Sequence, residues 1–176
     1  GGGSEIAMSC DLRFAASGTA VMNQMEVPIG IIPGGGGTQR LPALIGYPRA
    51  LELIVGGLDL DAETGEKWGY FNRSLPKEEL DLFITRFLDR VASFNPESVR
   101  SAKEALRLSI PNLVRGLVKE NTLFNERNNS ESGRELMKRF LDLGGQSVLQ
   151  ESRIEEFALE VAKSMNKPNN GISEEP

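Results

Sequence analysis

The later part of the chain repeats apolar residues at the spacing of an α-helix. Apolar side chains three or four positions apart fall on one face of a helix. The pattern predicts helices from Pro76 onward and then over about 96–109, 112–128, 131–143 and 151–165. The clearest apolar face is formed by Leu80, Phe83, Ile84, Phe87, Leu88 and Val91. In the next helix the residues expected to point inward are Val99, Ala102, Ala105 and Leu106.

The first third of the chain is rich in glycine and poor in charge, whereas the rest is charged. This asymmetry predicts a core part with the functional motifs over 1–75, a helical region over 76–165 and a disordered tail over 166–176. The first third is too small to cover every one-sided helix. We therefore expect several helices to pack against another chain, which predicts an oligomer.

Short and irregular elements are predicted in the first third. Strands are expected over 12–16 and 70–73. The glycine run 34–37 predicts a loop, because the conformational freedom of glycine disfavours a regular helix or strand. Thr38 is the expected N-cap of the helix that follows, and Asp61 is the expected cap of another short helix.

Two absences from the composition narrow the chemistry. The 176 residues include no histidine, which excludes a Ser-His-Asp site, a Cys-His site or a His-ligated metal site within this chain. The single cysteine, Cys10, excludes an intrachain disulfide and favours a reducing compartment. Carboxylates, lysines and tyrosines remain as acids and bases, so Asp or Glu is the expected proton carrier.

The net charge of −5 and a pI near 5.0 match a polyanion poorly, so no nucleic-acid partner is expected. No stretch approaches the roughly 18 apolar residues of a membrane-spanning helix, so no membrane span is expected either. The cytoplasm is the expected location. A mitochondrial location is the alternative if a transit peptide precedes this chain.

Gly1-Gly2-Gly3-Ser4-Glu5 opens a predicted helix. Glycines allow a ligand to approach the backbone, and a helix N-terminus presents unpaired N–H groups at the positive end of a dipole. The two together can hold an oxyanion, with Glu5 beside it in the first turn. The alternative is that this glycine-serine run is a cloning linker.

Two further features are candidates for chemistry. Glu26 stands in an apolar stretch, where burial would raise its pKa toward the range useful for a general acid. Its alternative is a solvent-facing position on an edge segment. The glycine loop over 33–37 leads into a helix N-terminus but matches neither a P-loop nor a Rossmann fingerprint, so a tight loop without a ligand is its alternative.

Three strings occur in order over residues 1–46. They are GGGSEIAMSCD at the start, the Q-x-E segment at Gln24 and Glu26, and IPGGGGTQRL from Ile32. Together they resemble the enoyl-CoA hydratase/isomerase (crotonase) family, and DLDAETGEKWGYFNRSLPKEEL resembles the segment that follows. The likeness weakens after about residue 110. Met25 also departs from the proline of many hydratases, and the two glutamates are one residue further apart than in the best-known ones.

The resemblance implies an α/β, crotonase-like fold of the ββα spiral type that ClpP and crotonases share. The chain would be the C-terminal portion of this fold, without the N-terminal strands and with a C-terminal helical oligomerisation region. Family relatives further imply a homo-oligomer, a trimer or a hexamer.

By the same resemblance, the reaction is the reversible syn addition of water to a 2-enoyl-CoA thioester. Glu5 would activate water for attack at C3, Glu26 would deliver a proton to C2, and the Gly2 N–H would polarise the thioester carbonyl. Gly3, Gly34 and Gly35 would contact the substrate. No cofactor is implied, because coenzyme A is part of the substrate.

Two alternatives stay open at this point. One is another crotonase-type reaction, such as enoyl-CoA isomerisation, acyl-CoA hydrolysis or decarboxylation. The other is a truncated, non-catalytic fragment that only oligomerises.

Overall fold

Ten helices and four short strands form the part of the chain that the computed structural model describes, residues 1–164. The strands are β1 (Phe14–Ala16), β2 (Val21–Asn23), β3 (Asp59–Asp61) and β4 (Arg73–Leu75). The helices are α1 (Gly2–Ser9), α2 (Gly37–Ile45), α3 (Tyr47–Gly56), α4 (Ala62–Trp68), α5 (Lys77–Ala92), α6 (Pro96–Arg107), α7 (Val114–Asn128), α8 (Glu131–Asp142), α9 (Val148–Glu151) and α10 (Ile154–Ser164). The tail predicted over 166–176 lies outside the described residues.

The strands form two separate pairs. β1 pairs with β4 in parallel, and β2 pairs with β3 in antiparallel fashion. The strand predicted over 70–73 begins only at Arg73, because the N–H groups of Tyr70 and Phe71 donate to the carbonyl of Gly65 within α4. Parallel strands need a long crossover, and the segment with α2, α3 and α4 supplies it.

The start of α2 differs from the prediction. Thr38 is not its N-cap: the helix begins at Gly37, and Gly36 is the N-cap with a left-handed φ of 102°. The left-handed conformation favours glycine at this position, and a side chain there would also begin 3.2 Å from Cδ2 of Leu117. The cap predicted for α4 is confirmed, since Asp61 accepts a hydrogen bond from the N–H of Thr64 at 2.7 Å.

Two apolar clusters hold these elements together. The first joins α1 to the early strands and helices, and its buried members are Met8, Met22, Leu41, Ile45, Ala50, Leu53, Leu60 and Tyr70. The second joins the segment after Glu26 to the last helices, and its buried members are Ile29, Ile31, Phe140, Ile154, Phe157, Ala158 and Val161. The C-terminal helices therefore fold back over the segment that carries Glu26.

The helices α5 and α6 are covered much less than their patterns predict. α5 contributes Phe83 and Phe87 to edge-on contacts with Phe14, at ring-centroid distances of 5.2 and 5.9 Å, but none of its residues is buried. The inward orientation predicted for α6 is wrong within residues 1–164. Ala102 and Ala105 are exposed there, and Leu106 is 68% exposed. Val99 is half-buried and Lys103 donates to Asp11, but the described residues bury none of the apolar side chains of this helix.

Candidate active site

Glu5 lies in the first turn of α1 and is only 8% exposed. Its Oε1 accepts hydrogen bonds from the backbone N–H groups of Gly35, at 2.8 Å, and Gly37, at 2.9 Å. The second oxygen, Oε2, has no hydrogen-bond donor among residues 1–164. One oxygen is thus fixed by the glycine loop, and Oε2 is left without a donor within this part of the chain; Glu5 is not among the residues that line the cavity at the start of α1.

Glu26 is 7% exposed and has different surroundings. Gln24 is fully buried, and its side-chain amide is oriented with the nitrogen toward Glu26. In this orientation the nitrogen donates to both carboxyl oxygens of Glu26, at 3.1 and 3.0 Å. Burial raises the pKa of Glu26 above its ordinary value, and the nearby charge of Glu5 raises it further.

The two carboxyls interact electrostatically, because the charge of one raises the pKa of the other. Glu5 is fixed by backbone N–H groups, whereas Glu26 lies in a desolvated position beside an amide. Unequal surroundings are the condition under which two carboxyls divide the roles of acid and base. These surroundings fit a division of acid and base roles between Glu5 and Glu26, which stays a prediction.

A cavity of about 570 Å³ opens beside the start of α1. Gly2 and Gly3 line it together with Glu26, and Ile29, Ile31, Phe140 and Ile154 supply part of its apolar wall. A cavity of this size and mixed lining is typical of small-molecule sites. The structure thus brings Gly2, Gly3 and Glu26 to one cavity.

Gly2 and Gly3 have open space where a side chain would start, because an added Cβ would meet no atom within 4 Å. As first-turn residues of α1 they also have N–H groups without an intrahelical acceptor. Packing within residues 1–164 does not require glycine at either position. Free N–H groups on an open cavity wall are the arrangement that an anionic oxygen needs.

Gly34 and Gly35 do not line this cavity. A Cβ at Gly34 would lie 2.7 Å from the ring of Phe124, and a Cβ at Gly35 would lie 2.5 Å from Oε2 of Glu5. Contacts within the chain are enough to require glycine at both positions. Their contact with a substrate stays a prediction.

Glu120 of α7 is a site residue that the sequence pattern did not single out. Its carboxylate accepts hydrogen bonds from the N–H of Gly36, at 2.6 Å, and from the N–H and hydroxyl of Thr38. In a charged helix a glutamate is usually solvated. One signal was available: Leu117 and Phe124 fall on the same helix face, three positions before Glu120 and four after it.

Residues 1–164 contain no cluster of three or more Cys, Asp or Glu side chains placed to hold a metal ion. Within the same part of the chain, every helix is too short or too polar to cross a membrane.

The fold places two buried carboxyls at the glycine-rich start of a helix. A model of the enoyl-CoA hydratase/isomerase family matches residues 1–147. The chain belongs to the enoyl-CoA hydratase/isomerase family. The family predicted from the motifs of residues 1–46 is thereby confirmed.

Two curated relatives illustrate the similarity. A Dictyostelium discoideum protein named "Probable enoyl-CoA hydratase, mitochondrial" is 38% identical over 143 residues, which are 81% of this chain and 51% of that protein. A short-chain-enoyl-CoA hydratase of Clostridium acetobutylicum is 34% identical over 143 residues, which are 81% of this chain and 54% of that protein. The chain thus spans about half the length of the curated relatives it matches.

Solved structures support the fold class. The crystal structure of a carnitinyl-CoA hydratase from Mycobacterium avium superposes with a TM-score of 0.74 at 28% sequence identity. The match covers 84% of this chain and 57% of that one. The crotonase-like fold class is therefore confirmed, and the match covers little more than half of the solved structure.

Proposed function

We propose that the protein carrying this chain adds water reversibly to the double bond of a 2-enoyl-CoA thioester. The observation that carries the proposal is the pair of buried carboxyls, Glu5 and Glu26, at the glycine-rich start of α1, where the charge of Glu5 raises the pKa of Glu26. Relatives named as hydratases in two distant organisms support the same reaction class.

The carboxyls take complementary roles in this reaction. Glu5 accepts a proton from water through Oε2, because the loop N–H groups already engage Oε1. The water oxygen bonds to C3 of the substrate, and the double-bond electrons move toward the thioester oxygen as an enolate. Glu26, whose pKa is raised by burial, then donates a proton to C2. The product is a 3-hydroxyacyl thioester.

The Gly2 N–H stabilises the enolate oxygen in this scheme. It lies at the positive end of α1 and on the cavity wall. Loss of one such donor typically costs about 2.7–4 kcal/mol of transition-state stabilisation. Gly3 shares the same wall, whereas Gly34 and Gly35 lie outside this cavity, and their contact with the substrate stays a prediction.

The partner in this proposal is the acyl-CoA substrate, so no separate cofactor takes part. We further infer a homo-oligomer, a trimer or a hexamer, because the apolar side chains of α6 are exposed within residues 1–164. The cytoplasm is the proposed location, and the mitochondrial relative makes the mitochondrion the alternative.

Product analysis tests the reaction class. The full-length protein is incubated with crotonyl-CoA, a 3-enoyl-CoA, a saturated acyl-CoA and a malonyl-type acyl-CoA that carries a free carboxylate, and the products are analysed by mass spectrometry. The proposal expects one water to be added to crotonyl-CoA. A product with only a shifted double bond, free coenzyme A or carbon dioxide as the main product would replace hydration by isomerisation, hydrolysis or decarboxylation.

A further inference from the structure

Glu120 is the one buried side chain of α7, with 2% exposure. A carboxylate is costly to bury unless each oxygen has hydrogen-bond donors. The remaining residues of α7 are exposed or half-buried. The packing of the helix therefore does not explain why a carboxylate is buried on it. The position therefore calls for a specific explanation.

The donors to Glu120 come from the start of α2. Its Oε1 accepts from the N–H of Gly36, and its Oε2 accepts from the N–H of Thr38, at 2.9 Å, and from the Thr38 hydroxyl. These groups lie at the N-cap and first turn of α2, where N–H groups lack intrahelical acceptors. The positive end of the helix dipole thus compensates the charge of Glu120.

Four consecutive N–H groups alternate between two carboxyls. Those of Gly35 and Gly37 donate to Glu5, and those of Gly36 and Thr38 donate to Glu120. The segment 35–38 is therefore fixed by both carboxyls at once. Rotation of this segment after loss of one carboxyl would move the donors that fix the other.

The face of α7 around Glu120 also contacts this loop. A Cβ at Gly34 would lie 2.7 Å from the ring of Phe124, and a Cβ at Gly36 would lie 3.2 Å from Cδ2 of Leu117. Leu117, Glu120 and Phe124 share one helix face, so packing and hydrogen bonding act from the same side. The loop has little room to adopt a second position.

We propose that Glu120 is a positioning residue, which fixes segment 35–38 and thereby the direction of the free oxygen of Glu5. This inference rests on the proposed function in so far as Glu5 activates water. Catalysis is sensitive to the position of such a group, because a displacement of the catalytic atoms by about 1 Å can lower the rate about a hundredfold.

Two variants and one control test the proposal in the full-length protein. Glu120→Gln keeps the shape and removes the charge, and Thr38→Val removes only the hydroxyl donor. Glu126→Gln is the matched control, because Glu126 is exposed on the same helix. Two quantities are measured: amide hydrogen exchange of residues 35–38, and kcat and KM for crotonyl-CoA hydration.

For Glu120→Gln we expect exchange of residues 35–38 to rise about tenfold or more. We expect kcat to fall about tenfold to a hundredfold while KM stays within about twofold, because the Glu5 carboxylate loses its orientation whereas substrate binding is kept. Thr38→Val is expected to change both quantities in the same direction by less. The double variant should show less than the product of the two effects, because both changes break one contact.

Unchanged exchange in a folded Glu120→Gln protein would overturn the proposal. Raised exchange with normal kcat would also overturn it, because Glu120 would then be merely structural. If Glu120→Gln does not fold, the same two measurements on Thr38→Val decide. If the wild-type protein forms no hydrated product, the proposed function fails, and exchange alone decides whether Glu120 fixes the segment.

Discussion

At the scale of single residues, the site depends on how each carboxyl is surrounded. Glu5 is held through one oxygen by the N–H groups of Gly35 and Gly37. Glu26 is held by the amide of Gln24 in a desolvated position. Two single substitutions test these surroundings separately, one for Glu5 and one for Glu26.

Gly35→Ala tests whether the orientation of the Glu5 carboxylate matters for catalysis. Gly35 does not have a positive φ, so its backbone accepts alanine, but the new Cβ would lie 2.5 Å from Oε2 of Glu5. We expect the carboxyl to be displaced and kcat for crotonyl-CoA hydration to fall about tenfold or more. Steady-state kinetics and a thermal melt measure this. A normal kcat in the variant would contradict the role given to Oε2.

Glu26→Gln tests the raised pKa of Glu26. A carboxyl whose pKa is higher in the folded than in the unfolded protein holds its proton more tightly when folded. Its contribution therefore makes the protein less stable as pH rises from the ordinary pKa through the raised one. The variant should gain free energy of unfolding relative to wild type across that pH interval. Urea unfolding at several pH values measures the difference, and a constant difference would contradict the raised pKa.

At the scale of elements, α8 and α10 cover the segment that follows Glu26. Ile29 and Ile31 are buried against Phe140 and Phe157, whose rings lie 5.4 Å apart. The C-terminal helices thus contribute to the site by packing rather than by chemistry. Removal of one of these rings should loosen both the helix and the segment.

Phe157→Ala tests this packing. The side chain is fully buried, so its truncation should lower the free energy of unfolding by about 3–5 kcal/mol. Leu159→Ala on the same helix is the control, because Leu159 is 50% exposed and should cost much less. Urea unfolding compares the two. Equal losses would show that α10 does not pack as described.

Sequence patterns predicted elements and local motifs better than long-range contacts. The cap at Asp61 and the glycine loop before α2 follow from local chemistry, and both are present. Glu120 meets Gly36 across 84 positions, a distance at which a single sequence offers no pairing signal. The N-cap assigned to Thr38 failed because the helix already begins at Gly37 after the left-handed Gly36, and the Thr38 hydroxyl instead donates to this distant carboxylate.

At the scale of the whole molecule, the described residues leave apolar side chains of α6 and its C-terminal end uncovered. Leu106, Leu108 and Ile110 are all more than half exposed. Helical periodicity predicted an apolar face but could not tell which surface would cover it. Large exposed apolar patches mark contacts with other chains or other parts of a protein.

Leu106→Glu tests the proposed oligomer. We expect the full-length wild-type protein to elute as a trimer or hexamer in light-scattering chromatography. We expect the variant to shift toward smaller species, because a charge would be buried in an apolar contact. Ser101→Glu on the same helix is the control for added charge, since Ser101 is exposed and polar. A monomeric wild-type protein would contradict the oligomer.

The central claim is that Glu5 and Glu26 together add water to an enoyl thioester. The most direct test is the loss of enone absorbance when full-length wild-type protein, Glu5→Gln and Glu26→Gln act on crotonyl-CoA. We expect clear turnover by the wild type and a fall in kcat of about a hundredfold or more in each variant, because general acid–base groups typically contribute that much. Near-normal rates in both variants would contradict the claim.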